Sequence, residues 1–81
     1  MKENKKVLVI RNKINDFISD LVSQMGIKIS EKNSCDFVEI DKDNYSNEYG
    51  NIEIPSIILI RDNKKIDVIT GFQYLSDLPK F

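Results

Sequence analysis

The 81-residue chain holds one thiol, Cys35, and no histidine. A lone cysteine has no partner within the chain for a disulfide. Without histidine, the commonest general base and the commonest transition-metal ligand are both missing. Zinc sites built from Cys and His are therefore excluded, and no metal or other cofactor is expected. The remaining reactive groups are carboxylates. Glu39, Asp41, Asp43 and Glu48 crowd one stretch, and oxygen ligands of this kind suit a hard cation. That stretch has neither the turn glycine nor the closing glutamate of an EF-hand loop, so it reads as a solvated turn. Lys2, Lys5 and Lys6 read as solubilising charge, and Lys64-Lys65 as a guard on a hairpin edge. There is no glycine-rich phosphate loop.

The charge balance limits the partners. Twelve Lys and Arg stand against thirteen Asp and Glu, a net charge of -1. No broad electropositive field forms, so nucleic acid is not an expected partner. With 41% hydrophobic and 31% charged residues the composition is globular, and the length suits one small domain. Residues 1–6 read as a flexible, charged lead-in and 7–81 as the domain. The apolar run Val7–Ile10 is far too short for a signal peptide or a membrane span. A single cysteine suits a reducing compartment, so a cytoplasmic location without membrane contact is expected.

The elements that would position any site follow from hydrophobic spacing. Lys6–Ile10 is a continuous apolar run, as in a strand covered on both faces. Ile14, Phe17, Ile18, Leu21, Val22 and Met25 recur at helical spacing. They predict a helix over Lys13–Met25 with that stripe inward, Asn12 as N-cap, and Gly26 closing its C-terminus. Asp36–Ile40 is a second strand, parallel to the first through a right-handed crossover. Tyr45 and Tyr49 share a face if a short helix ends at Gly50. Pro55 precedes a third strand, Ser56–Ile60. Asp62-Asn63 turns the chain into a fourth strand over Ile66–Ile69, and Tyr74–Leu78 reads as a terminal helix. The expected class is α/β, in the order β-α-β-(α)-β-β-α, with a four-stranded mixed sheet flanked by helices.

Tyr49–Lys65, YGNIEIPSIILIRDNKK, resembles the thioredoxin and glutaredoxin pattern of Tyr-Gly, Ile-Pro-Thr, an apolar strand and a polar hairpin. FVEIDKD (Phe37–Asp43) resembles the strand of that family that ends in an acidic turn, and ITGF (Ile69–Phe72) resembles its glycine after the last strand. The resemblance implies a thioredoxin-like domain with a cis Ile54–Pro55 bond. It places the family's Cys-x-x-Cys pair at Asn12, Lys13, Ile14 and Asn15, where no cysteine stands. Thiol–disulfide exchange needs a thiolate, which amide and lysine side chains cannot supply. Cys35 falls at the far end of a parallel strand pair and reads as a small, half-buried residue.

The implied function is a non-catalytic binding module for a protein or extended peptide. Its groove comprises Asn12, Lys13, Ile14, Asn15, Ile54, Pro55, Gly71 and Phe72, with Phe72 as an aromatic anchor if exposed. A viral or bacterial regulator docking on a host protein is one form such a module takes, as a monomer or weak homodimer. The alternatives are a glutaredoxin-like thiol–disulfide oxidoreductase and a structural homodimer.

Overall fold

A computed structural model describes residues 4–13, 16–74 and 76–81. Its strands are β1 (Lys5–Arg11), β2 (Asp36–Asp41), β3 (Ser56–Arg61) and β4 (Lys64–Thr70), with one α-helix, α1 (Phe17–Asn33), after β1. They form one mixed sheet in the order β2-β1-β3-β4. β1 runs parallel to β2 and antiparallel to β3, and β3 and β4 form an antiparallel hairpin. β1 and β3 are central, which accounts for their unbroken apolar runs: Val7 to Ile10 and Ile57 to Ile60 are all buried. A core strand side chain of this size contributes roughly 1.5–3 kcal/mol when fully buried.

The first strand takes in more of the chain than apolar spacing indicates. Lys5 pairs with Arg61. Asn4 exchanges hydrogen bonds with the hairpin tip, its carbonyl accepting from the Asp62 amide at 2.7 Å and its amide donating to Asp62 Oδ1 at 3.2 Å. The ladder to β3 thus holds residues that their charge assigned to a loose lead-in. At the tip itself, Asp62 and Asn63 both have positive φ, as in the two-residue turns that match strand twist.

The helix differs from its sequence expectation at both ends and in its rotation. Asp16, not Asn12, is the N-cap, and α1 runs on past Gly26 to Asn33. The expected connector Lys28–Ser34 is therefore helical up to Asn33. The chain leaves the helix at Ser34, whose φ of 51° is left-handed, with the Ser34 and Cys35 amides donating to the carbonyls of Glu31 and Ser30. The inward face is Ser19, Val22, Ser23, Met25, Gly26, Ile29 and Ser30. Among the described residues of the expected stripe only Val22 and Met25 are buried, while Phe17 is 71% exposed and Ile18 also faces solvent. Small side chains let the helix lie close to the sheet: a Cβ on Gly26 would stand 2.6 Å from Val9 Cγ2 and 3.1 Å from Phe37 Cε1.

The two faces of the sheet are covered differently. α1 covers one, closing a core of Val7, Val9, Ile57 and Leu59 with Val22, Met25 and Ile29. The other face, Leu8, Ile10, Ile58 and Ile60, lies under Tyr45, Tyr49, Ile52 and Ile54. No helix forms there beyond a single 3₁₀ turn at Lys42–Asn44. One hydroxyl closes that loop: Tyr45 Oη donates to the Gly50 carbonyl at 2.8 Å and accepts from the Tyr49 amide at 3.0 Å. The expected terminal helix is absent from the described residues of 74–78. Instead the tail is tied to the end of α1. Asn33 Nδ2 donates to the carbonyls of Ile29 and Pro79, Asn33 Oδ1 accepts from the Phe81 amide at 2.9 Å, and Lys32 Nζ donates to the Leu78 carbonyl. Hydrogen bonds to side chains of α1 serve the tail backbone in place of a helical ladder.

Two outcomes follow for stability. Helix propensity alone favours Gly26→Ala by about 1 kcal/mol, but overpacking a filled core costs typically about 1–3 kcal/mol. Val9 is a fully buried residue of a central strand, so overpacking wins. Urea unfolding should show a net loss of about 1 kcal/mol, and a raised midpoint would refute the close approach. Asn33→Ala should cost about 1–2 kcal/mol and speed amide exchange at Phe81. Unchanged exchange there would mean that this side chain does not hold the tail.

Candidate functional site

The register brings the predicted groove residues to one edge of the sheet. Ile10 at the end of β1 lies opposite Ser56 at the start of β3, and Ser56 lies opposite Thr70 at the end of β4. Asn12 and Lys13, Ile54 and Pro55, and Gly71 and Phe72 therefore emerge side by side. The Gly71 amide donates to the Pro55 carbonyl at 2.8 Å. Gly71 has φ +69°, a conformation that glycine adopts readily. Pro55 is buried, Ile54 is half-buried, and the bond between them is cis. Phe72 is 47% exposed. Ile14 and Asn15 lie outside the described residues.

Polar groups stand where β1 meets the start of α1. Arg11 Nη2 reaches Asp20 Oδ1 at 2.6 Å, while Nη1 lies 3.5 Å from Glu39 Oε2 and 3.4 Å from Ser23 Oγ. Ser23 Oγ in turn donates to Glu39 Oε2. One guanidinium thereby ties the helix to β2 across the end of β1. Next to it, the Asn12 amide donates to Ser19 Oγ at 3.1 Å, and Ser19 Oγ and Asn12 Nδ2 both donate to Asp16 Oδ2, at 2.6 and 2.7 Å. Those two bonds, Ser19's first, hold the Asp16 carboxyl below its ordinary value against a smaller opposing effect of burial. The Arg11 guanidinium is pushed further up, chiefly by its hydrogen bond to Asp20. Among the described residues this edge offers hydrogen-bond donors and matched charges but no thiol. Among the described residues no group of three or more His, Cys, Asp or Glu is placed to hold a metal ion. No helix among them is long and apolar enough to cross a membrane.

Beside the expected groove lies an apolar one. Leu21, Met25 and Lys28 of α1 face Phe72, Tyr74 and Leu78 across a cavity of about 270 Å³. Tyr74 is 91% exposed, and Phe17 lies one turn before Leu21 on the same helical stripe. Sequence reasoning missed Phe17, Leu21 and Tyr74 as surface residues because apolar spacing turned the first two toward the core and a terminal helix claimed the third. The signal that could have found them was the competing stripe of Ser19, Ser23, Gly26 and Ser30.

Cys35 stands at the opposite edge. It precedes Asp36, which pairs with Lys6 near the start of β1, so the length of a central strand and two strand spacings separate it from Pro55, on the order of 20 Å. Burial first, and the Asp36 charge second, push its thiol up, and a raised thiol pKa leaves less of the nucleophilic thiolate.

The Asp16 shift has a definite sign in acid. A carboxyl whose pKa is lower folded than unfolded adds stability that is complete above its unfolded value, about 3.9. That stability is lost as pH falls through the folded pKa. Urea midpoints measured from neutrality down through that window should fall less steeply for Ser19→Ala than for the unsubstituted chain. Equal slopes would show that the Ser19 bond does not hold the Asp16 charge.

No protein-family model matches the chain. No curated protein matches it either. Among solved structures it is similar to the thioredoxin of Fasciola hepatica. The two share 17% sequence identity with a TM-score of 0.63, over 84% of this chain and 68% of that one. A likeness at this identity speaks for the fold, and it agrees with the strand order, the parallel β1–β2 pair and the antiparallel hairpin described above. The chain has a thioredoxin-like fold, and its single cysteine leaves it without a Cys-x-x-Cys pair.

Proposed function

We propose that this chain is a non-catalytic binding module that takes a protein segment or an extended peptide at the edge formed by Asn12, Lys13, Ile54, Pro55, Gly71 and Phe72. The observation that carries the reading is the uncovered apolar surface beside that edge. Phe72 and Tyr74 stand 47% and 91% exposed across a cavity from Leu21 and Met25. Contiguous exposed apolar surface of this kind marks interaction sites, and aromatic side chains are the usual anchors of an interface. The Ile54 backbone, next to the Gly71–Pro55 hydrogen bond, offers an extended segment a place to pair by strand addition. A net charge of -1 favours neither nucleic acid nor an anionic membrane as the partner. A regulator that acts by occupying another protein, as a monomer or weak homodimer in the cytoplasm, fits this reading.

The competing reading is thiol–disulfide exchange. It needs an accessible thiolate at the edge that carries Pro55, whereas Cys35 is half-buried at the other edge with its thiol pushed up.

Two measurements test the proposal. In an insulin-reduction assay with dithiothreitol, the chain and its Cys35→Ser variant should both match background, and Cys35-dependent turnover would replace the binding reading with a redox one. Peptides selected from a display library on the unsubstituted chain should bind Phe72→Ala about tenfold more weakly, with an unchanged circular dichroism spectrum. Equal binding would remove this edge from consideration.

A further inference from the structure

Arg11 and Asp41 face each other in the register of β1 and β2, yet they make no ion pair. The Arg11 guanidinium is turned to Asp20 and Glu39. Asp41 Oδ1 is left buried, with no hydrogen-bond partner. Asp41 is also the cap residue of the 3₁₀ turn at Lys42–Asn44, and its side chain makes no cap bond there. A carboxylate oxygen stripped of water and given no donor is costly, and most buried polar atoms in folded proteins avoid that state. Asp41 lines a cleft of about 340 Å³ at the C-terminal ends of β1 and β2, together with Arg11, Asn12, Lys13, Glu39 and Ile40.

We infer that this cleft receives a cationic side chain, Arg or Lys, from the bound segment. The inference rests on the docking role proposed above and names the partner's chemistry at one subsite. Asp20 and Glu39 already answer the charge of Arg11, and Lys13, which also lines the cleft, makes no ion pair with Asp41, so the Asp41 charge is left unmatched. A guanidinium or ammonium group supplies the donor that Asp41 lacks, in a charge-assisted hydrogen bond. The torsion that turns an aspartate carboxylate is broad, so Oδ1 can swing to meet an incoming donor without moving the strand. Ile40 is the one apolar residue among the described lining and offers a surface for the methylene stem, as long cationic side chains commonly find. Asn12 and Lys13 belong to both this cleft and the edge of Phe72, which puts the cationic residue within the reach of a single extended segment.

The test uses the full chain with N-acetyl-arginine amide as probe and its neutral near-isostere N-acetyl-citrulline amide as control, followed by amide resonances. The arginine probe should shift Arg11–Lys13 and Glu39–Asp41 saturably, the citrulline probe should not, and Asp41→Asn should weaken the arginine probe about tenfold. Equal shifts from both probes, or undiminished binding to Asp41→Asn, would overturn the inference. If Asp41→Asn fails to fold, salt decides on the unsubstituted chain: binding that does not weaken from low to high ionic strength is not ionic and refutes it. The probe response is read with no peptide present, so its failure counts against this subsite alone, whereas the peptide comparison at Phe72→Ala counts against the docking role alone.

Discussion

The close approach of α1 to the sheet at Gly26 is the constraint from which the surface follows. A side chain there would run into Val9 and Phe37, so the helix can sit at this depth only by presenting its small residues. Ser19, Ser23 and Ser30 continue that stripe to either side of Gly26, and all three are buried. Their hydroxyls find partners: Ser19 and Ser23 in the groups around Asp16 and Glu39, and Ser30 on the Ile27 carbonyl. Burying a hydroxyl without a partner is unfavourable, so the stripe faces inward only because these acceptors wait there. Once it does, Phe17 and Ile18 have nowhere to go but outward. The exposed apolar surface is thus the other side of the same packing decision.

The strands were legible because their signal is simple. Continuous apolar runs mark β1 and β3, the polar pair Asp62-Asn63 marks the hairpin, and the break at Gly71 marks the end of β4. The YG…IP segment pointed to the thioredoxin-like arrangement that the solved thioredoxin shares. The helix was legible as a helix but not in its rotation or length. Hydrophobic spacing weighs Phe17 and Ile18 as core and serine as surface, and it has no way to register a hydroxyl already supplied with an acceptor across the fold. Gly26 looked like a terminator because glycine commonly ends helices, while its use as a contact point on Val9 depends on a strand distant in sequence. The second face was misread for a similar reason: Tyr45 and Tyr49 do share a face, but the Tyr45 hydroxyl holds them in a loop.

The candidate site was legible as a set of neighbours, not as a surface. Asn12, Lys13, Ile54, Pro55, Gly71 and Phe72 meet at one edge because strand direction and register follow from the order of elements. What lies next to that edge does not follow from order. The groove between α1 and Phe72, Tyr74 and Leu78 exists because the tail is drawn to Asn33 by hydrogen bonds instead of coiling over the helix. A terminal helix over Tyr74–Leu78 would use the same apolar residues to cover itself. Sequence spacing supports either arrangement, and the amide of one asparagine, far away in the chain, selects between them.

The edge at Pro55 and Gly71 keeps its shape without help from a thiol. The backbone at Pro55 and Gly71 is fixed by a hydrogen bond between two chain segments, and the start of α1 is fixed by Arg11 and Asp16 through side-chain bonds. None of these groups needs a nucleophile nearby to hold its place. A rigid edge lowers the ordering cost of association, since fewer groups lose freedom when a partner arrives. Under the proposed docking role, specificity comes from what surrounds that shape. On one side these are the exposed aromatic rings, and on the other the carboxylate of Asp41 facing a guanidinium that has turned away from it.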